Sequence, residues 1–255
     1  MNCDVCESTI KVDEKKPKLL ILGHRGMLGN MCLLYFTREH YSVITTTHRW
    51  PSKAFKTFVS KANVDFIINA IGMIPQKKPD NKLYNEINFK LPMWLDKQGI
   101  RVIHPDTDEP DTTPYGLSKR LARENMIHNT RIIKSSIMGF EQETKCSFLE
   151  WFLNSDGSIN GYTNQRWNGN TTLEWAKWAE KIIKNWEYYK NVTTIANPDC
   201  RSKYDILLTL KGLFQKDIEI IPTKAPEEKN NCLTGEYITN DLLNQLIEMR
   251  YFYGR

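Results

Sequence analysis

Apolar positions first gather at Lys18, where LLILG runs up to a glycine and the apolar-rich MLGNMCLLYFTRE follows it. That sequence of textures predicts strand, turn and helix. YSVITTT then reads as a β-branched second strand, VDFIINAIG as a third and RVIHP as another, with helical stretches between them such as NKLYNEINFKLPMWLDKQG. RIIKSSIMG supplies one more strand after the helix YGLSKRLARENMIHN. Short apolar strands alternating with helices predict a parallel sheet covered on both faces, so the expected class is α/β, a Rossmann-type doubly wound sheet.

Beyond Gly139 the texture changes to aromatic-rich helices and polar loops: KCSFLEWFLN, a loop INGYTNQRWNGN, and a helix TTLEWAKWAEKIIKNWEYY. The division this suggests is a flexible tail over 1–16, a cofactor-binding layer over 17–145 and a smaller α/β substrate-binding domain over 146–255. VTTIANP reads as a strand that could return to the first sheet, so the two parts are expected to interleave. Trp151, Trp175, Trp178 and Trp186 recur at partly helical spacing, which suits a core better than a ligand surface.

Composition narrows the class without naming it. The 255 residues are 40% hydrophobic and 25% charged, too apolar for a disordered chain. The net charge of +5 is spread without runs, so neither nucleic acid nor a membrane surface is an expected partner. No stretch reaches the ~20 apolar residues of a membrane span, and MNCDVCESTIKVDEKK lacks the apolar region of a secretion signal, which predicts a cytoplasmic protein. In that compartment the six cysteines are expected to stay as thiols. Cys3 and Cys6 form a CxxC with no second pair nearby, so no metal is expected.

Two motifs carry chemistry. Gly23-His24-Arg25-Gly26-Met27-Leu28-Gly29 follows a strand and opens a helix, where glycines let the backbone approach a pyrophosphate on the helix's positive end. The residue about 20 positions on, where an NAD site places an acid, is Arg49; arginine pairs with a 2′-phosphate, and Arg25 could assist. NADP(H) is therefore expected, with NAD(H) left open. Asn69, Ala70, Ile71 and Gly72 end the third strand at the edge where such a cofactor passes. The second motif, Tyr115-Gly116-Leu117-Ser118-Lys119, puts a phenol and an ammonium on one helical face, where the ammonium is expected to favour the phenolate.

With both motifs in this order the chain resembles the extended short-chain dehydrogenase/reductases, and among them the dTDP-4-dehydrorhamnose reductase group. The resemblance spans about 18–255 through GHRGMLG, FIINAIGMIPQ, NFKLP, YGLSK, SFLEWFL and INGYTN. It implies NADPH-dependent reduction of the 4-keto group of a UDP- or dTDP-linked 4-keto-6-deoxyhexose, of rhamnose or N-acetylrhamnosamine type. It implies Tyr115 as proton donor, Lys119 as its partner and a hold on the nicotinamide ribose, and Thr107 orienting the carbonyl. Ser135 and Ser136 fall where family members flank the nicotinamide. Asn160, Tyr162, Asn164, Trp167, Arg201 and Lys203 have the chemistry to meet a base and a diphosphate, though each suits an ordinary loop equally well. A homodimer is left open.

The chain departs from the family in the connection before the tyrosine, where HPDTDEPDTTPYG leaves eight steps between Thr107 and Tyr115. Eight extended residues reach up to roughly 26 Å, so the pairing is feasible, and Thr112 or Thr113 could replace Thr107. Two other readings follow. Related bifunctional enzymes also epimerise carbons 3 and 5 with a cysteine two places after the hydroxyl residue; here Glu109 stands there, as a base or as a solvated acid. Alternatively the chain is a non-catalytic NADP-binding subunit, resembling the regulatory subunit of methionine adenosyltransferase.

Overall fold

The computed structural model describes residues 16–126, 128–143 and 145–254. Its centre is a seven-stranded sheet of β1 (Lys18–Leu22), β2 (Ser42–Thr45), β3 (Phe66–Asn69), β4 (Arg101–Asp106), β5 (Thr130–Lys134), β6 (Val192–Ala196) and β7 (Tyr237–Ile238). All neighbours pair in parallel, in the spatial order β2-β1-β3-β4-β5-β6-β7. Alternate residues of β1 serve opposite faces: Leu19 and Ile21 enter one core cluster, Leu20 and Leu22 another. Ile68 with Ile67, and Ile103 with Val102, divide the same way. This two-faced burial is why the strands read as continuous apolar runs, and each fully buried leucine or isoleucine contributes about 1.5–3 kcal/mol.

The first cluster packs the Met27–Arg38 helix against helices Thr172–Lys184 and Leu242–Tyr253, both from the second half of the chain. The second cluster packs helices Lys53–Ser60 and Leu91–Asp96 on the other face. β1 lies between β2 and β3, so the winding reverses there and opens a crevice at the carboxyl ends of β1 and β3.

Several boundaries differ from the sequence reading. The segment read as a loop over 159–170 forms strands Ser158–Tyr162, Gln165–Trp167 and Asn170–Thr171, whose partners lie elsewhere in the chain and leave no local signal. The stretch around Asn81–Asp96 winds through a π-helical turn at Asn85–Lys90, and Pro92 falls in the first turn of its last helix. Helices Lys203–Phe214 and Leu242–Tyr253 add to the elements that the sequence predicts. The 1–16 tail, except Lys16, and the Cys3/Cys6 pair lie outside the described residues.

The expectation of free thiols is overturned at one pair. Cys200 and Cys232 are joined in a disulfide with Cα atoms 5.8 Å apart, while Cys32 and Cys146 are free. Residues 32 apart in sequence meet because strands Arg201–Ser202 and Lys229–Asn231 flank Gln165–Trp167, bringing a cysteine to each outer strand. Among the described residues no helix is long and apolar enough to cross a membrane.

The second half is tied to the sheet by a buried amide. Asn170 donates to Ser135 Oγ at 2.9 Å and accepts from Thr239 at 2.6 Å and Gln245 at 2.9 Å, with no exposure to solvent. Asn170→Ala removes three side-chain bonds at once from a fully buried site, although Ser135, Thr239 and Gln245 each keep another partner, so urea denaturation is expected to show a loss of about 2 kcal/mol; a loss below about 0.5 kcal/mol contradicts the assignment.

Candidate active site

The glycine turn sits at the mouth of the crevice. A Cβ at Gly29 would lie 2.1 Å from Gly23 O, and Gly23, at φ +81°, would bring one to 2.9 Å from the Ala70 carbonyl carbon. The turn closes only without side chains at these points, which packs it directly on the Asn69–Gly72 segment. Gly26 caps the Met27–Arg38 helix with no side-chain hydrogen bond, and no acid occupies its first turn. Met27 and Leu28 open that helix, and Leu28 is buried against the sheet. The uncapped amides and the side-chain-free cradle fit a dinucleotide pyrophosphate.

The basic residues expected around it are placed unequally. Arg25 pairs with Glu143 at 3.0 Å, both about half exposed. Arg49 lies exposed in the loop after β2, on the same carboxyl edge. Asn69 serves the frame: its Oδ1 accepts from Ile71 N at 3.2 Å, which turns its Nδ2 to His104 Nδ1 at 3.1 Å. That donation leaves the His104 proton on Nε2, and burial holds this ring neutral with Lys119 nearby.

Tyr115, Thr107 and Lys119 meet at the end of β4. The Tyr115 phenol is hydrogen-bonded to the Thr107 hydroxyl, and Lys119 Nζ donates to Pro105 O at 3.0 Å. The short connection folds back onto the helix it precedes. Thr113 caps Pro114–Asn125, accepting from Gly116 N at 3.0 Å and donating to Pro110 O at 3.1 Å. Thr113 is thereby committed to the cap, Thr112 is exposed, and Thr107 is the hydroxyl at the tyrosine. A Cβ at Gly116 would stand 2.0 Å from Pro110 O, so this position must be glycine for the connection to lie so close. Arg123, farther along the helix, pairs with the buried Asp106 and reaches Asp111 at 3.4 Å.

Electrostatically the site differs from the expectation in one respect. Burial, with the carboxylates of Asp106, Asp108 and Glu109 adding, pushes the Tyr115 phenol up, and the Thr107 hydrogen bond offsets this only in part. Lys119 does not bring the phenol down; burial instead pushes Lys119 itself down to about 8, with Asp106 opposing the shift. Tyr115 is thus a protonated phenol at neutral pH, suited to giving a proton.

On the substrate side the predicted residues separate. Lys203 donates to Gln165 at 2.8 Å, and burial and Lys229 hold it below the usual lysine range while Glu109 and Asp108 oppose. Asn164 uses both ends of its amide to clamp Ala225, at 2.9 and 2.8 Å, and Asn160 accepts from Thr223 at 3.1 Å. Trp167 is wedged against Gly169, Arg201 pairs with Asp199 at 2.7 Å, and Tyr162 is half-buried at the end of its strand. Ser135 is buried, bonded to Ser136 O and Asn170; its neighbour Ser136 meets Asp108 instead. Asn231, Asp108 and Asn88 also reach this region and are not among the residues that the sequence predicts. Asn88 bonds Met73 N at 2.8 Å and Ser118 Oγ at 3.2 Å, tying the π-helical turn to the tyrosine helix. The NFKLP block contained Asn88, whereas nothing local marks Asn231.

Compared with known proteins by sequence, the chain matches no family model and no curated protein. Compared by structure, it is similar to a dTDP-4-dehydrorhamnose reductase of Clostridium acetobutylicum, at TM-score 0.73 and 17% identity over 93% of this chain and 100% of that one. A dTDP-4-dehydrorhamnose reductase of Bacillus anthracis, solved with NADP, gives 0.72 and 15% over 91% and 93%. A GDP-mannoheptose C4 reductase of Campylobacter jejuni with NADP bound gives 0.70 and 10% over 95% and 99%. The fold is theirs. The Rossmann-type α/β class expected from the strand pattern therefore stands.

The depressed Lys119 has a signed consequence. Its folded pKa of about 8 lies below the ordinary 10.5, so the unfolded chain binds more protons in that window and stability rises with pH from about 8 to 10.5. Below about 8 the full penalty, about 3 kcal/mol, is present. Lys119→Met lacks it, so its advantage over the parent in urea denaturation should shrink across this range; an advantage constant with pH contradicts the burial of a charged Lys119.

Proposed function

We propose that this protein is an NADPH-dependent reductase of the 4-keto group of a nucleotide-linked 4-keto-6-deoxyhexose. The observation that carries the reading is the Tyr115 phenol, protonated by burial, hydrogen-bonded to Thr107 over the buried Lys119, on the sheet edge that also bears the glycine turn. The solved reductases of the same fold support it, two of them named for dTDP-4-dehydrorhamnose and two holding NADP.

When bound, the reduced nicotinamide supplies hydride to the carbonyl carbon. The residues of the chain do the rest. Amides at the start of the Met27–Arg38 helix face the pyrophosphate, and Arg49 and Arg25 meet a 2′-phosphate, Arg25 by leaving Glu143. Thr107 and Tyr115 converge on the carbonyl oxygen, and Tyr115 gives it the proton as negative charge develops there. Lys119, held by Pro105 O, serves the nicotinamide ribose, and the Thr107 hydrogen bond is what eases the charge on the phenolate left behind. Lys203 lies where a substrate diphosphate could take its charge.

The alternative of a non-catalytic subunit rested on the short connection. The contact between Tyr115 and Thr107 survives that shortening, which favours the enzyme.

Incubation with UDP- and dTDP-4-keto-6-deoxyhexoses should show NADPH oxidation faster than NADH oxidation. Tyr115→Phe should lower kcat by about 10²-fold or more while NADPH binding is kept. Tight NADPH binding without turnover of any keto-sugar would sink the reading in favour of the binding subunit.

A further inference from the structure

The substrate side of the site is joined to the Cys200–Cys232 bridge by one side chain. Strand Gln165–Trp167 runs between Arg201–Ser202 and Lys229–Asn231, and Trp167 is paired with Arg201 on one side and Asn231 on the other. Cys200 precedes the first outer strand and Cys232 follows the second, so the bridge fastens both across the middle strand. Next to Cys232, Asn231 turns its amide to Glu109, donating to Oε2 at 3.4 Å, and also hydrogen-bonds Asp108. Those two carboxylates follow Thr107 directly in sequence. Glu109 N donates to Thr107 Oγ1 at 3.1 Å, and Thr107 bonds the Tyr115 phenol. The contacts therefore run unbroken from the bridge through Asn231 to the proton donor.

The placement has a physical need behind it. Asp108 and Glu109 stand side by side with Asp106 just before them, and like charges at this spacing repel unless donors hold them. The Lys203 ammonium lies near both carboxylates and Asp108 also has Ser136, but Asn231 is the amide that spans the two. Lys229–Asn231 is only three residues long, and its pairing to Gln165–Trp167 is a small ladder to hold a part-buried polar contact.

We propose that Asn231 is a positioning residue for the Thr107–Tyr115 pair, and that the Cys200–Cys232 bridge makes its placement responsive to thiol–disulfide exchange. A dithiol reductant would operate the switch. One of its thiolates attacks a bridge sulfur, the other cysteine leaves as thiolate, and the second thiol resolves the mixed disulfide. Two electrons and two protons pass to Cys200 and Cys232, and the dithiol becomes a disulfide. The inference rests on the reductase reading given above for its kinetic arm.

The test compares the parent chain, Asn231→Ala and Cys200→Ser/Cys232→Ser, each oxidised and after dithiothreitol, with the bridge state read by iodoacetamide labelling and mass spectrometry. In the parent, reduction is expected to raise KM for the keto-sugar about tenfold with little change in NADPH affinity, the size of coupling typical of contacting residues. The double-serine variant should match the reduced parent without reductant. Asn231→Ala should show the raised KM already when oxidised, with no further rise on reduction, and an acid limb of its kcat/KM pH profile displaced upward as Asp108 loses a donor. Effects of bridge and amide that multiply, a KM indifferent to reduction, or both cysteines alkylated in untreated protein would overturn the proposal. Hydrogen exchange over 107–116 gives a reading independent of turnover: it should quicken on reduction in the parent and not in Asn231→Ala. If no keto-sugar is turned over, the reductase reading fails and the exchange result alone decides this one.

Discussion

The site depends on how closely the segment after β4 can lie on the helix it leads into. A backbone carbonyl at Pro110 occupies the place a side chain at Gly116 would take, so the first turn of the helix is pressed against the end of the sheet. The placement of the tyrosine pair follows from that contact. The Thr113 cap sets the start of the helix, the start sets where Tyr115 projects, and the short return leaves Thr107 beside it. At the far side the pair of Asp106 and Arg123 fixes the helix against β4. Such a buried pair adds little net stability against an apolar replacement, but losing one member costs about 3–5 kcal/mol, so it acts as a constraint on geometry.

Burial, more than neighbouring charge, sets the protonation of the site. The ammonium four residues from the tyrosine suggested a phenol drawn toward its anion. In the folded chain the two groups are desolvated together, and each is pushed toward its neutral form. For a reduction this is the useful direction, because the donor must hold its proton until the oxygen acquires charge. The nearby carboxylates reinforce it. They would oppose a mechanism that began with Tyr115 as a base.

What could be read from the sequence was whatever is local. The glycine turn, the strands of the sheet and the tyrosine–lysine pair each announce themselves within a dozen residues, through periodicity or through glycine in a tight place. The three-stranded sheet around Gln165–Trp167 could not be read that way, because its partners come from 201–202 and 229–231. Asn231, Ser136 and the disulfide share that reason. Asn164 and Asn160 show the converse: amides chosen for their binding chemistry bond residues more than sixty positions away and brace loops. The position of Thr107 was legible, but its security across a shortened connection was not, since it rests on a backbone contact at Gly116 that no spacing rule reveals.

The interleaving of the two halves bears on how the chain acquires this fold. β6 and β7 close one side of a sheet begun at Lys18, and the Leu242–Tyr253 helix packs into the same core as the Met27–Arg38 helix. Contacts so far apart in sequence make for slow closure, because the intervening chain must be gathered first. During synthesis the first five strands emerge with β5 as a bare edge and the apolar side of the Met27–Arg38 helix uncovered. Until residue 238 has been made the sheet lacks its last strand, so the glycine turn and tyrosine helix exist well before the core that makes them rigid. Between the completion of β5 at Lys134 and that of β7 at Ile238 a nascent chain of this protein therefore carries a bare sheet edge open to aggregation, and the crevice beside the glycine turn is among the last parts to become a fixed shape.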